Sequence, residues 1–180
     1  MPFDPAKPVD ASLVSAAELR GQFTALKALL DAQPLVTAGR VGADWTSASS
    51  SFTDVGGLAF AVASGENWTA EMVLHVVSGA SGQGLKFRVS GPGAGSVTIA
   101  IQGTGSSGST ATECEVQTAF GVASPAKAFC TGSGLTGVVR IHVVIASATA
   151  GTVQLQANNS GGGGTVTIKA GSDLVARKTG

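Results

Sequence analysis

The side chains that could carry chemistry are few and scattered. His75 and His142 each sit inside an apolar, β-branched run, and Glu71 lies four positions before the first of them. Two imidazoles and a carboxylate suit a zinc ion if the two runs are neighbours, because zinc takes nitrogen and oxygen donors in a tetrahedron. Histidines at an interface, or barely exposed, are the blander reading and the favoured one. Cys114 stands between Glu113 and Glu115. Adjacent negative charge opposes formation of a thiolate, so this thiol makes a poor nucleophile. Gly79-Ala-Ser-Gly-Gln-Gly84-Leu-Lys86 has glycines and a lysine, but it lacks the Gly-Lys-Ser/Thr ending and a following helix to hold an anion. It reads as a turn between strands. No catalytic residue, metal or cofactor is expected.

Sugar recognition on a β-sandwich needs exposed aromatic rings for stacking. The chain offers Trp45 and Trp68, no tyrosine, and acidic calcium ligands such as Asp54 only in isolation. Packing in a core or an interface is the expected fate of both tryptophans. If loop tips touch a glycan, Trp68 is the candidate contact, together with the glycine-rich tip Gly161 to Gly164. Asn67-Trp-Thr69 and Asn158-Asn-Ser160 match the glycosylation acceptor pattern, which matters only on a secretory route. Residues 1–10 carry three prolines and two aspartates where a secretory signal would place basic and then apolar residues, so that route is not expected. Cys114 and Cys130 form a possible disulfide, closing a loop of about 16 residues and worth ~3 kcal/mol, with two unbridged thiols slightly favoured.

These residues must be positioned by two kinds of structure, because composition changes near residue 40. Eight of the 22 charged side chains fall in the first 40 residues, and nearly all of the 26 glycines come later. Ser15-Ala-Ala-Glu18 fits a capping box, in which the serine oxygen and the glutamate carboxylate satisfy free backbone donors at a helix start. Leu19, Phe23, Leu26 and Leu30 follow at spacings of 4, 3 and 4, the apolar stripe of a helix that Pro34 ends. A lone helix of about 18 residues is marginal in water, so the stripe needs cover from its own domain, another subunit or a docking partner. It is the candidate attachment and oligomerisation surface. Two heptads fall short of a coiled-coil signature. The proline-rich leader through Asp10 reads as an extended arm.

After Val41 the helical period gives way to short Val, Ile, Thr and Phe segments separated by glycine and serine. Strands are expected near 44–52, 58–62, 68–77, 85–90, 96–103, 111–118, 127–131, 138–147, 152–157, 165–170 and 174–178. Roughly eight to eleven strands with no room for crossover helices predict an all-β fold, an antiparallel β-sandwich or jelly roll, with an N-terminal arm and one short α-helix. The division expected is an arm and helix over 1–40 and a sandwich over 41–180. Met72, Leu74 and Val76 alternate with Val73, His75 and Val77, and Val139, Ile141, Val143 and Ile145 with Val138, Arg140, His142 and Val144. Strands with apolar residues on both faces favour an oligomer, and such a surface suits a homotrimer.

Composition removes other partners. The 180-residue chain carries 11 basic and 11 acidic side chains, a formal net charge of zero and a pI near 6.7. Nucleic acid and acidic lipid both require a cationic field, so neither is expected. No apolar run reaches the ~20 residues of a membrane span, and membrane insertion is not expected. With 43% apolar residues and a mean hydropathy of +0.31, the chain should fold.

Pro2-Phe-Asp-Pro5 and Ser15-Ala-Ala-Glu-Leu-Arg-Gly-Gln-Phe-Thr-Ala-Leu-Lys-Ala-Leu-Leu-Asp31 resemble the N-terminal segment of small bacteriophage virion proteins of the fibre and decoration type. Glu66-Asn-Trp68, Gly84-Leu-Lys-Phe-Arg-Val-Ser-Gly91, Thr152-Val-Gln-Leu-Gln156, Val166-Thr-Ile-Lys-Ala-Gly171 and Leu174-Val-Ala-Arg177 resemble the β-sandwich module that follows in such proteins. The resemblance implies a non-enzymatic virion component. Its arm and helix attach or trimerise, and three jelly rolls, similar in build to tumour necrosis factor and complement heads, project outward. Its partners would be sister copies and other virion proteins of the capsid or tail. The alternative is a receptor-binding or lectin-like module that contacts host-surface glycans.

Overall fold

A computed structural model describes residues 15–31, 35–80, 82–104, 112–122, 128–161 and 164–180. The expected arm over 1–10, Pro34 and the centre of the Gly161–Gly164 tip lie outside the described residues. The chain divides into two compact units, Met1–Leu35 and Val36–Gly180.

The first unit contains helix α1, Ala16–Asp31. Its start is the expected capping box. The Ser15 amide and hydroxyl both donate to Glu18 Oε2 at 3.0 Å, and the Glu18 amide donates to Ser15 Oγ at 3.2 Å. These bonds satisfy donors that a helix start leaves open.

The second unit is an antiparallel two-sheet β-sandwich. Its strands are β1 (Val36–Arg40), β2 (Trp45–Ser47), β3 (Thr53–Val62), β4 (Trp68–Ser78), β5 (Leu85–Ser90), β6 (Ala94–Thr104), β7 (Thr112–Gln117), β8 (Thr136–Ala148), β9 (Gly151–Asn159), β10 (Val166–Ile168) and β11 (Asp173–Lys178). The larger sheet runs β1-β11-β4-β8-β6-β7, with β10 also on β4 and β2 on β10. Strands β10 and β11 thus line one side of β4 in succession, and β2 and β1 line them in turn. The turn between β10 and β11 is tied to β4 by backbone: the Lys169 amide donates to the His75 carbonyl, and the His75 amide to Ser172 Oγ at 3.0 Å. The smaller sheet is β3-β9-β5.

Alternation builds the core. Trp68, Ala70, Met72, Leu74 and Val76 of β4 join Val139, Ile141, Val143 and Ile145 of β8 and Val97, Ile99 and Ile101 of β6 on the inner face of the larger sheet. Phe60, Leu155, Phe87 and their neighbours face them from the smaller one. Each buried Val, Leu or Ile contributes about 1.5–3 kcal/mol. A slip of one residue in β8 would exchange Ile141 and Val143 for Arg140 and His142, so the pattern fixes the register.

Three local expectations are corrected. Val36–Arg40, assigned by composition to the N-terminal segment, is a strand paired along its length with β11, so it belongs to the β unit. The strand expected at 44–52 stops at Ser47, because serines redirect the chain: Ser49 and Ser51 amides donate to Ser47 and Ser49 Oγ at 3.1 and 3.0 Å. Of the strand expected at 127–131, the described part holds only isolated bridges, at Phe129 (to Leu85) and at Thr131, and between them Cys130 turns out of extended geometry at φ 54°.

Strand β3 bulges between Asp54 and Ala59 and crosses β1 backbone to backbone. Gly57 has φ 85°, and a Cβ there would overlap the Arg40 carbonyl, while one at Gly39 would overlap the Gly57 carbonyl. Gly56 faces open space. Gly57→Ala is therefore expected to destabilise the β unit by about 2–4 kcal/mol, with Gly56→Ala near neutral, as read by denaturant midpoints.

Candidate functional site: the exposed apolar surfaces

Among the described residues, no three His, Cys, Asp or Glu side chains come together as a metal site. The β4–β8 register explains this for the histidines. His142 sits opposite Glu71, whereas His75 sits opposite Val138. Four residues of strand separate the two rows, on the order of 13 Å. The zinc arrangement is not assembled. Cys114 is exposed on β7 opposite Gln102, Cys130 is buried in the core, and no disulfide joins them.

Trp68 is a core residue, 1% exposed, with its ring tilted against Phe60 at 5.5 Å. It offers no face to a sugar. Its parity with Met72, Leu74 and Val76 on β4 is the signal that places it inside. Trp45 is half-buried against the core and donates from Nε1 to the Asp54 carbonyl at 3.1 Å. The glycine tip near Gly164 adjoins the Ser78 end of β4, since the Gly79 amide donates to the Thr165 carbonyl at 2.9 Å. With 11 residues in β4, Trp68 and that tip lie about 33 Å apart along the strand. They do not form one site. Both sequon asparagines are occupied: Asn67 Oδ1 accepts from the Ser147 amide at 2.8 Å, and buried Asn158 donates to the Ser50 carbonyl at 2.6 Å.

Two surfaces remain. The first is the α1 stripe, where Leu19, Phe23, Leu26 and Leu30 are 49%, 61%, 40% and 65% exposed. The second is the outer face of the larger sheet. Its cross-strand rows read Val116, Ala100, His142, Glu71, Val175, Ala38 and, two residues on, Thr98, Val144, Thr69, Arg177, Val36. Val36, Val116, Val138, Val144 and Val175 are all exposed. Thr69, Glu71, His142, Val175 and Arg177 line a shallow depression of about 250 Å³ there. The second face that sequence alternation marked as apolar is therefore exposed on the β unit.

The smaller sheet turns a different surface outward. Arg88 stacks over Phe52 at 4.7 Å and donates to Gln156 Oε1 at 2.8 Å, and Gln156 donates to Asp54 Oδ1 at 2.7 Å. These polar groups satisfy one another and need no further cover. Apolar surface is concentrated on the larger sheet and α1.

At one end of the sandwich Glu66 fastens the β3–β4 turn to the last strand. Its Oε2 accepts from the Ala63 amide at 2.8 Å and Trp68 Nε1 at 2.9 Å, and its Oε1 faces Lys178 Nζ at 3.0 Å. The Ala63 amide, Lys178 and Trp68, in that order, hold the carboxyl down to about 2 from an ordinary 4.5. Asp44 is held below its ordinary range by Lys169 and then by the Ala170 amide.

No family model matches the chain, and no curated protein matches it. Among solved structures, the chain is similar to a protein in the structure of infectious bursal disease virus, Gt strain, at 10% identity and a TM-score of 0.24, over 82% of this chain and 38% of that one. The chain thus spans well under half the length of that neighbour. A likeness of this degree decides no function. No helix among the described residues is long and apolar enough to cross a membrane.

The Glu66 network makes acid stability testable. A carboxyl lowered by folding contributes stability in full above its unfolded pKa of about 4.5 and loses it as pH falls toward about 2. Denaturation midpoints measured across that window should fall for the native chain, and Glu66→Gln should flatten the dependence.

Proposed function

We propose that the protein is a non-enzymatic structural component of a bacteriophage virion: an exposed decoration, head-fibre or tail-fibre protein that assembles as a homotrimer and attaches through its N-terminal segment. The observation that carries this reading is the capped helix α1, which holds an apolar stripe at 40–65% exposure on a compact unit separate from the sandwich. Water does not tolerate such a helix well in isolation, so a partner surface is its physical complement. The open face of the larger sheet and the sequence resemblance to fibre and decoration proteins support the same reading. A sandwich whose turns are fastened by Glu66 and Asp44 suits a particle-bound protein that has to persist outside a cell.

The glycan-binding alternative loses the aromatic contact expected of Trp68, which lies in the core.

Deletion of residues 1–35, which spares β1, is expected to leave a sandwich with the native far-ultraviolet spectrum that no longer sediments with particles, as read by mass spectrometry of the pellet. Retained incorporation would refute attachment through the N-terminal segment.

A further inference from the structure

We propose that Glu115 and Gln117, on the inner face of β7, bind a calcium ion at the edge of the larger sheet.

Strand parity carries both side chains inward. Cys114 and Val116 of β7 are exposed, whereas Glu115 sits opposite Ile101 and Gln117 opposite Ile99, two fully buried core residues. Gln117 is itself only 4% exposed. Just beyond it the chain crosses to the smaller sheet, where the Gly121 amide donates to the Val89 carbonyl of β5 at 2.9 Å. A carboxylate is thereby set against apolar core.

The hydrogen bonds there do not balance. Gln117 Nε2 donates to Glu115 Oε1 at 2.9 Å, which brings the amide oxygen beside the carboxylate. Glu115 Oε2 and Gln117 Oε1 are both closed to solvent, and neither has a hydrogen-bond partner. Three acceptor oxygens share one donor group. The charge is not offset either: among the described residues the ion pairs join Lys169 to Asp44 and Lys178 to Glu66, and neither reaches Glu115. Buried charges are paired or coordinate a metal, because an uncompensated one is costly in a medium of low polarity. A water molecule would fill the missing hydrogen bonds and leave the charge as it is.

The donor atoms select the ion. Both free ligands are oxygens, one from a carboxylate and one from an amide, which is the chemistry of hard cations and not of zinc or copper. Calcium accepts about six to eight oxygens in irregular geometry, whereas magnesium demands an octahedron and sheds its waters reluctantly. β7 is the last strand of its sheet and Glu115 is half-buried, so an ion reaches the oxygens from the open edge and keeps waters on that side. With a single carboxylate the site is weak, on the order of 10⁻⁴–10⁻³ M.

The test uses the full chain, stripped with EDTA and dialysed to equilibrium against calcium chloride or magnesium chloride. The native protein should retain one calcium per chain, and its thermal midpoint should rise with calcium but not with equal magnesium. Glu115→Gln keeps the shape without the charge and should weaken retention at least tenfold, with a native far-ultraviolet spectrum in EDTA. Gln117→Met should weaken it severalfold. Glu71→Gln, on the outer face, should change neither reading. No calcium retained by the native chain at ~10 mM, well above the expected range, overturns the proposal. So does an equal response to magnesium, or retention undiminished in Glu115→Gln.

Discussion

Ile141 and Val143 enter the core because β8 lies between β4 and β6 in one antiparallel register, and that same register turns Arg140, His142 and Val144 outward. The strand period of two ties what is buried to what is displayed. All other surfaces of the sandwich follow from this constraint. The core draws one residue in two from β4, β6 and β8 and from the facing strands β3, β5 and β9. The remainder of the larger sheet is left carrying valines among threonines, arginines and histidines. The smaller sheet displays a closed set of polar contacts around Arg88, Gln156 and Asp54. One sandwich thus has a self-sufficient face and an open one.

Among the described residues, the side chains whose types could carry chemistry are kept apart by placement. The histidines are kept in separate cross-strand rows, the cysteines lie one on the surface and one in the core, and Trp68 serves as packing. The ionic contacts of Glu66 with Lys178 and of Asp44 with Lys169 join segments that are distant in sequence, so they act on stability. The surface left with a physical need is apolar, on the outer face of the larger sheet and along α1.

Much of this was legible in residue spacing. Ser15 and Glu18 bond as the capping box requires, and β5 occupies the expected 85–90, because local patterns there agree with the tertiary outcome. Val36–Arg40 was not legible, since Val-Thr-Ala-Gly-Arg is short, turns its apolar Val36 and Ala38 to the exposed side, and is held as a strand by pairing with β11. The left-handed turn at Cys130 carries no glycine or asparagine to announce it, and it follows Phe129, whose ring packs on Phe87 at 5.9 Å. The burial of Trp68 was readable from parity alone. The stripe of α1 was legible as a need for cover, because its spacing gathers the apolar residues on one side of the helix.

The central claim is that apolar surface exposed on one chain is covered by others. Hydrogen exchange at the backbone amides of Ala16–Asp31 in the full chain, followed over a range of protein concentrations, tests it most directly. The account predicts protection that rises with concentration and reaches the level of the sandwich strands. Exchange at the rate of an unstructured peptide at every concentration, or protection independent of concentration, would contradict it.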